Sequence, residues 1–103
     1  MAAAVYSFRV YIAGRTPRSL TALANLRLLC ETYLPDRHEI DLVDVSDRPE
    51  LAERDGVLAT PMAVRIMPLP EVRVIGDLAD HRKAAGFLGL VEAGRSSPEE
   101  RRR

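Results

Sequence analysis

Two hydrophobic periodicities organise the first half of the chain. Residues 5–13 alternate between apolar and polar positions, which predicts a strand that ends before Gly14. Thr16 and Pro17 then predict a helix start, with a threonine N-cap and a proline at the first helical position. Apolar residues recur at helical spacing from Pro17 to about Leu34, and residues 39–45 form an apolar-rich second strand. A strand, a helix and a strand at this spacing predict a right-handed βαβ unit with parallel strands.

The same periodicities predict which side chains are buried in this unit. On the first strand, the face that we expect to be buried carries Tyr6, Phe8, Val10 and Ile12. On the helix, the apolar face carries Leu20, Leu23, Leu26, Cys30, Tyr33 and Leu34.

Shorter and weaker signals mark the second half. Ser46 or Asp47 is a candidate N-cap, and Pro49 in the first turn begins a short helix that Gly56 closes after residue 55. Residues 60–68 and 72–77 are predicted strands, and the proline-stiffened turn at 69–71 joins them as a hairpin.

Periodicity does not choose a structure for residues 77–92. An apolar stripe at helical spacing predicts a helix with Asp77 or Asp80 as its cap. Gly86 and Gly89 lie inside that helix, where each costs about 1 kcal/mol relative to alanine. Residues 86–91 are equally compatible with a short buried strand. The stripe consists of Leu78, Ala84, Ala85, Leu88 and Val91.

Length and composition narrow the class of protein. The 103 residues predict one domain, 1–94, followed by a disordered charged tail, 95–103. A formal net charge of zero gives no general attraction to nucleic acid or membrane. No window approaches about 18 uninterrupted apolar residues, and the N-terminus lacks a secretory pattern. With a single cysteine, these features predict a cytoplasmic protein without a disulfide framework.

The predicted order β-α-β-α-β-β-α is the thioredoxin order, yet the redox residues of that fold are missing. A thioredoxin places its reactive thiols at the start of the first helix, which here holds residues 13–19 without cysteine. Cys30 falls on the apolar helix face, where we expect a buried hydrophobe. A hydroxyl from Tyr11, Thr16 or Ser19 is the alternative, as in glutathione transferases, although those enzymes carry a second helical domain. Thiol-disulfide exchange by a thiol pair is excluded, and a thioredoxin-fold transferase or a degenerate oxidoreductase that lacks the Cys-x-x-Cys pair stays the alternative.

No motif for a metal or a cofactor is present. His38 and His81 are far apart in sequence and have no neighbouring cysteine or paired carboxylate. We expect one of them in a loop and the other on a helix surface. Neither a P-loop nor a dinucleotide fingerprint occurs. We therefore predict no catalytic residue, no metal and no cofactor.

Three segments together resemble the KaiB family of circadian-clock proteins. They are YIAGRTPRSLTALANL at 11–26, IDLVDVSDRPELAERDGVLATPMAV at 40–64 and VRVIGDL at 72–78. The likeness runs from about Arg9 to Leu90. It implies a non-enzymatic adaptor that binds a KaiC-type ATPase, with KaiA or a sensor histidine kinase as further partners, in a circadian clock or in clock-derived timing or stress signalling.

The resemblance also implies two folds for one sequence. KaiB proteins have an associating ground state, a dimer or tetramer ordered β-α-β-β-α-α-β, and a monomeric thioredoxin-like state ordered β-α-β-α-β-β-α. The first βαβ unit is common to both, whereas the half after about residue 50 rearranges. We therefore expect a thioredoxin-like α/β domain whose C-terminal half is able to refold, as two packings within a few kcal/mol allow.

The residues that we expect to bind the partner or to govern the switch follow from this resemblance. Relative to the family pattern, Thr21, Asp41 and Gly56 occupy positions that are commonly basic, so the expected partner surface is less basic here. The predicted site residues are Ala59, Thr60, Pro61, Arg73, Ile75, Gly76, Asp77, Gly86 and Gly89.

Overall fold

A computed structural model of the chain describes residues 5–94. The strands are β1 (Tyr6–Ile12), β2 (His38–Asp44), β3 (Met62–Met67) and β4 (Val72–Ile75). The helices are α1 (Pro17–Tyr33), α2 (Pro49–Arg54), α3 (His81–Phe87) and α4 (Leu90–Gly94). The predicted tail, 95–103, lies outside the described residues.

One four-stranded sheet, ordered β2-β1-β3-β4, joins the two halves of the chain. β1 and β2 pair in parallel, with Val10 opposite Leu42, which confirms the predicted βαβ unit. β3 pairs antiparallel with both β1 and β4, so the predicted hairpin is also confirmed. The peptide bonds before Pro61, Pro68 and Pro70 are cis.

Helix α1 begins as its sequence predicts. Thr16 is the N-cap, its hydroxyl accepts a hydrogen bond from the Ser19 N–H at 3.1 Å, and Pro17 opens the helix. The prediction for Leu20 was wrong, because this side chain is 44% exposed. The buried arc of the helix is centred near Leu26, and Leu20 lies on the flank beyond it, at about 100° of helical rotation per residue.

The main core lies between the sheet and the helices α1, α3 and α4. Its buried side chains from the first half include the predicted Phe8, Val10, Ile12, Leu23 and Leu26. Tyr6 and Tyr33 are partly buried and pack against this core. A smaller cluster of Tyr11, Met62 and Val64 lies on the opposite sheet face.

The start of α2 differs from its prediction. The N-cap is Arg48, whose side chain makes no capping hydrogen bond, instead of Ser46 or Asp47. The Asp44 carboxylate explains the difference, because it accepts hydrogen bonds from the hydroxyl and the N–H of Ser46 and holds that residue in a turn before the helix. These hydrogen bonds and one from the Gly14 N–H lower the pKa of Asp44.

Residues 81–87 and 90–94 are helical in this structure, so the strand alternative for 86–91 is not adopted. The predicted helix was placed too early, because residues 77–80 lie before α3 and Leu78 has a left-handed φ of +61°. Asp80 caps α3 by accepting the Lys83 N–H at 3.1 Å. The helix stops at Phe87, and Gly89, with φ of +72°, separates it from α4. The helical stripe is therefore interrupted by a turn that only a residue tolerant of left-handed backbone adopts easily.

Candidate partner-binding surface

The two predicted segments 59–61 and 75–77 lie side by side. Ala59 is exposed, Thr60 is half-buried and Pro61 is buried just before β3. The Gly76 N–H donates to the Pro61 carbonyl at 2.9 Å, one step beyond the pairing of Met62 with Ile75. The structure thus brings six of the predicted residues to one end of the sheet.

Apolar side chains surround this contact. Leu58 is 92% exposed and Ile75 is 58% exposed. We call residues 58–61 and 75–77 the Pro61 surface. Leu58 is not among the site residues predicted from the sequence, because a leucine just before a predicted strand gives no local sign of its exposure.

A shallow cavity extends the Pro61 surface toward α3. It has a volume of about 210 Å³ and lies between β4 and α3, with Ile75, Leu78 and Phe87 among its lining residues. Phe87 is 56% exposed. An exposed apolar rim around a small concavity is typical of a site that receives an apolar side chain from another protein.

Asn25 of α1 fixes the far side of the Pro61 surface. Its Nδ2 donates to the Asp77 carbonyl at 2.7 Å, and its Oδ1 lies 2.8 Å from Nε2 of His81. The Asp77 carboxylate accepts the Ala79 N–H at 3.0 Å, and Gly76 has φ of +120°. His81 therefore takes part in a bridge between the halves, which is more than the surface position predicted for it.

The start of α1 lies beside the same surface, and its hydroxyls are occupied. A Cβ atom on Gly76 would lie 4.0 Å from Nη2 of Arg18. Thr16 donates its hydroxyl to the Ser19 oxygen at 3.0 Å while it accepts the Ser19 N–H. This pair caps the helix, and Ser19 is buried.

The other histidine, His38, is the first residue of β2 and does not lie in a loop. Its Nδ1 atom lies 2.8 Å from the Leu34 carbonyl.

The only thiol of the chain is unsuited to redox chemistry. Cys30 is fully buried in the main core, as predicted. Burial raises the pKa of its thiol to about 12, so the thiolate is scarce at neutral pH.

Tyr11, the other hydroxyl considered from the sequence, lies on the opposite sheet face. Its hydroxyl donates to the Asp55 carboxylate at 2.8 Å, and only 3% of the residue is exposed. Burial raises the pKa of Tyr11, whereas hydrogen bonds from Arg54 and then Tyr11 lower the pKa of Asp55 to about 2. Tyr11 thus ties β1 to the segment after α2.

Three predicted residues lie away from the Pro61 surface. Arg73 donates to the carbonyls of Asp55 and Gly56 at 2.8 and 3.0 Å, so its side chain is bound within the chain. Gly86 is exposed on α3, with open space where a Cβ atom would be, and Gly89 lies against Arg65.

Other kinds of site find little support in residues 5–94. The described part of the chain has no cluster of three or more His, Cys, Asp or Glu side chains that could hold a metal ion. Among the same residues, no helix is long and apolar enough to cross a membrane.

The fold and the site define a thioredoxin-like domain without the thiol pair. Among solved structures it resembles the N-terminal domain of Synechococcus elongatus SasA, with a TM-score of 0.67 at 20% identity, covering 86% of this chain and 88% of that one. Chloroplastic thioredoxin z gives a TM-score of 0.68 at 21% identity, covering 86% and 80%. The KaiB domain family matches residues 9–90, and the chain belongs to that family.

Curated relatives agree with this family. The chain is 41% identical over 86 residues to the circadian clock oscillator protein KaiB of Synechococcus elongatus, covering 84% of each chain. It is 42% identical to the KaiB protein of a Prochlorococcus marinus strain, covering 84% of this chain and 82% of that one. These relatives are named as clock proteins, and the expected thioredoxin-like KaiB fold is confirmed.

Proposed function

We propose that this protein is a non-enzymatic adaptor that binds and regulates a KaiC-type ATPase through the Pro61 surface. Membership of the KaiB family supports the general role. The observation that carries the assignment of the surface is the exposure of Leu58 and Ile75 on either side of the Pro61–Gly76 contact. An exposed aliphatic pair around a backbone contact suits a protein partner, because adjoining exposed apolar side chains mark surfaces at which proteins interact.

The chemistry of the chain favours an adaptor over its enzymatic alternative. The Thr16 hydroxyl donates a hydrogen bond to the Ser19 hydroxyl at the start of α1, and the buried Tyr11 hydroxyl donates to the Asp55 carboxylate. None of these hydroxyls is paired with a histidine, among the hydrogen bonds that the described residues make. A glutathione transferase needs a hydroxyl that is free to donate a hydrogen bond to the thiolate of its substrate, whereas the hydroxyls of Thr16 and Tyr11 already donate within the chain.

The binding test titrates a purified KaiC-type ATPase with this protein by calorimetry. The double variant Leu58→Asp with Ile75→Asp is expected to weaken binding at least tenfold, because it places two charges in an apolar contact. Leu28→Asp, which changes an exposed leucine on α1, is the matched control and is expected to bind like the wild type. Unchanged affinity of the double variant would remove the Pro61 surface from the proposal.

Enzyme assays test the non-enzymatic half of the proposal. Insulin reduction and glutathione conjugation are expected to give no turnover above the buffer rate. Turnover that disappears in Thr16→Ala or Cys30→Ala would replace the adaptor by a transferase or a degenerate oxidoreductase.

We further propose that the adaptor exists in two packings, of which this structure is the thioredoxin-like one. The other has the order β-α-β-β-α-α-β and associates as a dimer or tetramer, with Gly86 and Gly89 tuning the balance. KaiA-like proteins or a sensor histidine kinase are proposed as further partners of the thioredoxin-like packing, in a clock or a related timing pathway in the cytoplasm. NMR spectra that show one set of peaks at every concentration and temperature would contradict the second packing.

A further inference from the structure

Arg65 is a buried cation on the core-facing side of β3. Only 8% of the residue is exposed, and its neighbour on that face, Ala63, belongs to the main core. Nη1 donates to the Leu88 carbonyl at 2.7 Å and Nη2 to the Pro70 carbonyl at 2.9 Å. Nε has no hydrogen-bond partner within the described range. A buried charge held by carbonyl groups must gain its stability from them, since burial removes its hydration.

Arg73 repeats this arrangement on the other face of the sheet. It lies opposite Val64, which belongs to the smaller cluster on that face. Nη2 donates to the Asp55 carbonyl at 2.8 Å and Nη1 to the Gly56 carbonyl at 3.0 Å, while Nε donates to Glu71.

Each of the two arginines binds one carbonyl with the same structural role, whereas the Pro70 carbonyl lies in the turn between β3 and β4. Leu88 is the C-cap of α3, and Asp55 is the C-cap of α2. The last carbonyls of a helix have no partner within the helix and carry its partial negative charge, so a guanidinium satisfies both needs. With seven and six residues, α3 and α2 are too short to persist by themselves.

Gly89 leaves the space that the Arg65 clamp needs. A Cβ atom at this position would lie 2.5 Å from Nη1 of Arg65, closer than real Cβ contacts. The missing side chain of Gly89 therefore has two roles: it allows the left-handed turn between α3 and α4, and it leaves room for the Arg65 guanidinium.

We propose that Arg65 and Arg73 are paired clamps, through which the β3–β4 hairpin holds α3 on one sheet face and α2 on the other. The Arg73 clamp also positions the Pro61 surface, because it fixes the backbone two residues before Leu58. The clamps bind carbonyls that belong to the second half only, so they stabilise this packing of that half. This last consequence rests on the second packing proposed above.

Amide hydrogen exchange tests each clamp separately. In Arg65→Met, the amides of α3 and α4 are expected to exchange at least about tenfold faster, whereas those of α1 and α2 stay within about twofold of the wild type. In Arg73→Met, the faster amides are expected in α2 and residues 56–58. The matched controls are Arg82→Met and Glu53→Met, which remove exposed charged side chains from α3 and α2.

Several outcomes would overturn the clamps. The first is an equal rise of the exchange rates in both helices for either clamp variant. The second is an equal rise in the control variants, and the third is no change of the exchange rates in the helix that the clamp binds. Should Arg65→Met fail to fold, Arg65→Lys keeps the charge but a single ammonium does not span the two carbonyls, so a smaller rise confined to α3 and α4 is expected. A rise spread over the whole chain would contradict the proposal.

A double-mutant cycle tests the role of Gly89 in the Arg65 clamp. Gly89→Ala is expected to raise the unfolding equilibrium constant at least about threefold more in the wild type than in Arg65→Met, where the crowding guanidinium is gone. Additive effects would show that Gly89 serves the turn alone. These readouts need no partner, so failure of ATPase binding or of the second packing is distinguishable from failure of the clamps.

Discussion

The two halves of this domain are stabilised in different ways. β1, α1 and β2 form a unit whose 17-residue helix begins at its own cap and buries a continuous apolar face. In the second half, the three helices have six, seven and five residues. The C-terminal carbonyls of two of these helices accept hydrogen bonds from arginine side chains of the β3–β4 hairpin. Local sequence signals therefore determine the first half, whereas the second half depends on contacts between distant residues.

The largest expected effect comes from the core of the first half. Leu26→Ala removes a fully buried side chain from α1, so the free energy of unfolding is expected to fall by about 2–5 kcal/mol. Leu28→Ala, on the exposed side of the same helix, is expected to change it by less than about 0.5 kcal/mol. Urea unfolding measures both variants. Equal losses would contradict the difference in burial between the two positions.

Two glycines of the second half are expected to respond in opposite directions. Gly76→Ala forces a side chain into φ of +120°, so the free energy of unfolding is expected to fall by about 1–3 kcal/mol. Gly86→Ala adds a methyl group to open space within α3, and a gain of about 0.5–1 kcal/mol is expected. Thermal and urea unfolding check the signs. A loss of stability for Gly86→Ala would contradict the prediction, because it would mean that the added methyl group meets a neighbouring atom.

The smallest expected effect concerns acid, at the link between Tyr11 in the first half and Asp55 in the second. Because the pKa of Asp55 is lowered to about 2 in the folded state, its contribution to stability is present above the unfolded value of about 3.9 and is lost as pH falls toward 2. Between pH 5 and 2 the wild type should lose more stability than Asp55→Asn does.

Urea unfolding at several pH values measures this difference. Tyr11→Phe, which keeps the carboxylate but removes the hydroxyl that donates to it, is expected to give an intermediate slope. Parallel slopes for the wild type and Asp55→Asn would refute the contribution of this carboxylate.

The sequence predicted the first half well because its signals are local. The alternation of 5–13 and the cap at Thr16 act within a few residues, and both elements appear close to the expected bounds. Leu20 was misplaced because helical spacing gives the width of an apolar face only approximately. The cap of α2 was missed because the Asp44 carboxylate, from the preceding strand, holds Ser46.

The second half and its site were less predictable for a physical reason. The helical segment at 86–91 makes a contact that is distant in sequence, because Arg65 donates to the Leu88 carbonyl 23 residues away, and the local periodicity of that segment carries no trace of such a contact. The alternation of β3 does place Arg65 beside Ala63 on the core face, which is a signal that such a contact exists. Family resemblance, and not local sequence pattern, predicted that Pro61, Gly76 and their neighbours belong to the site. The exposure of Leu58 is visible only in the folded structure.

The amide of Asn25 determines which hydrogen the neighbouring imidazole must carry. Because Nδ2 faces the Asp77 carbonyl, Oδ1 is left to face His81 and accepts a hydrogen from Nε2. Both the neutral ring protonated at Nε2 and the imidazolium supply that hydrogen. The contact between α1 and α3 therefore fixes the position of a hydrogen atom as well as the orientation of the ring, because the Asp77 carbonyl and the His81 ring occupy opposite ends of one amide.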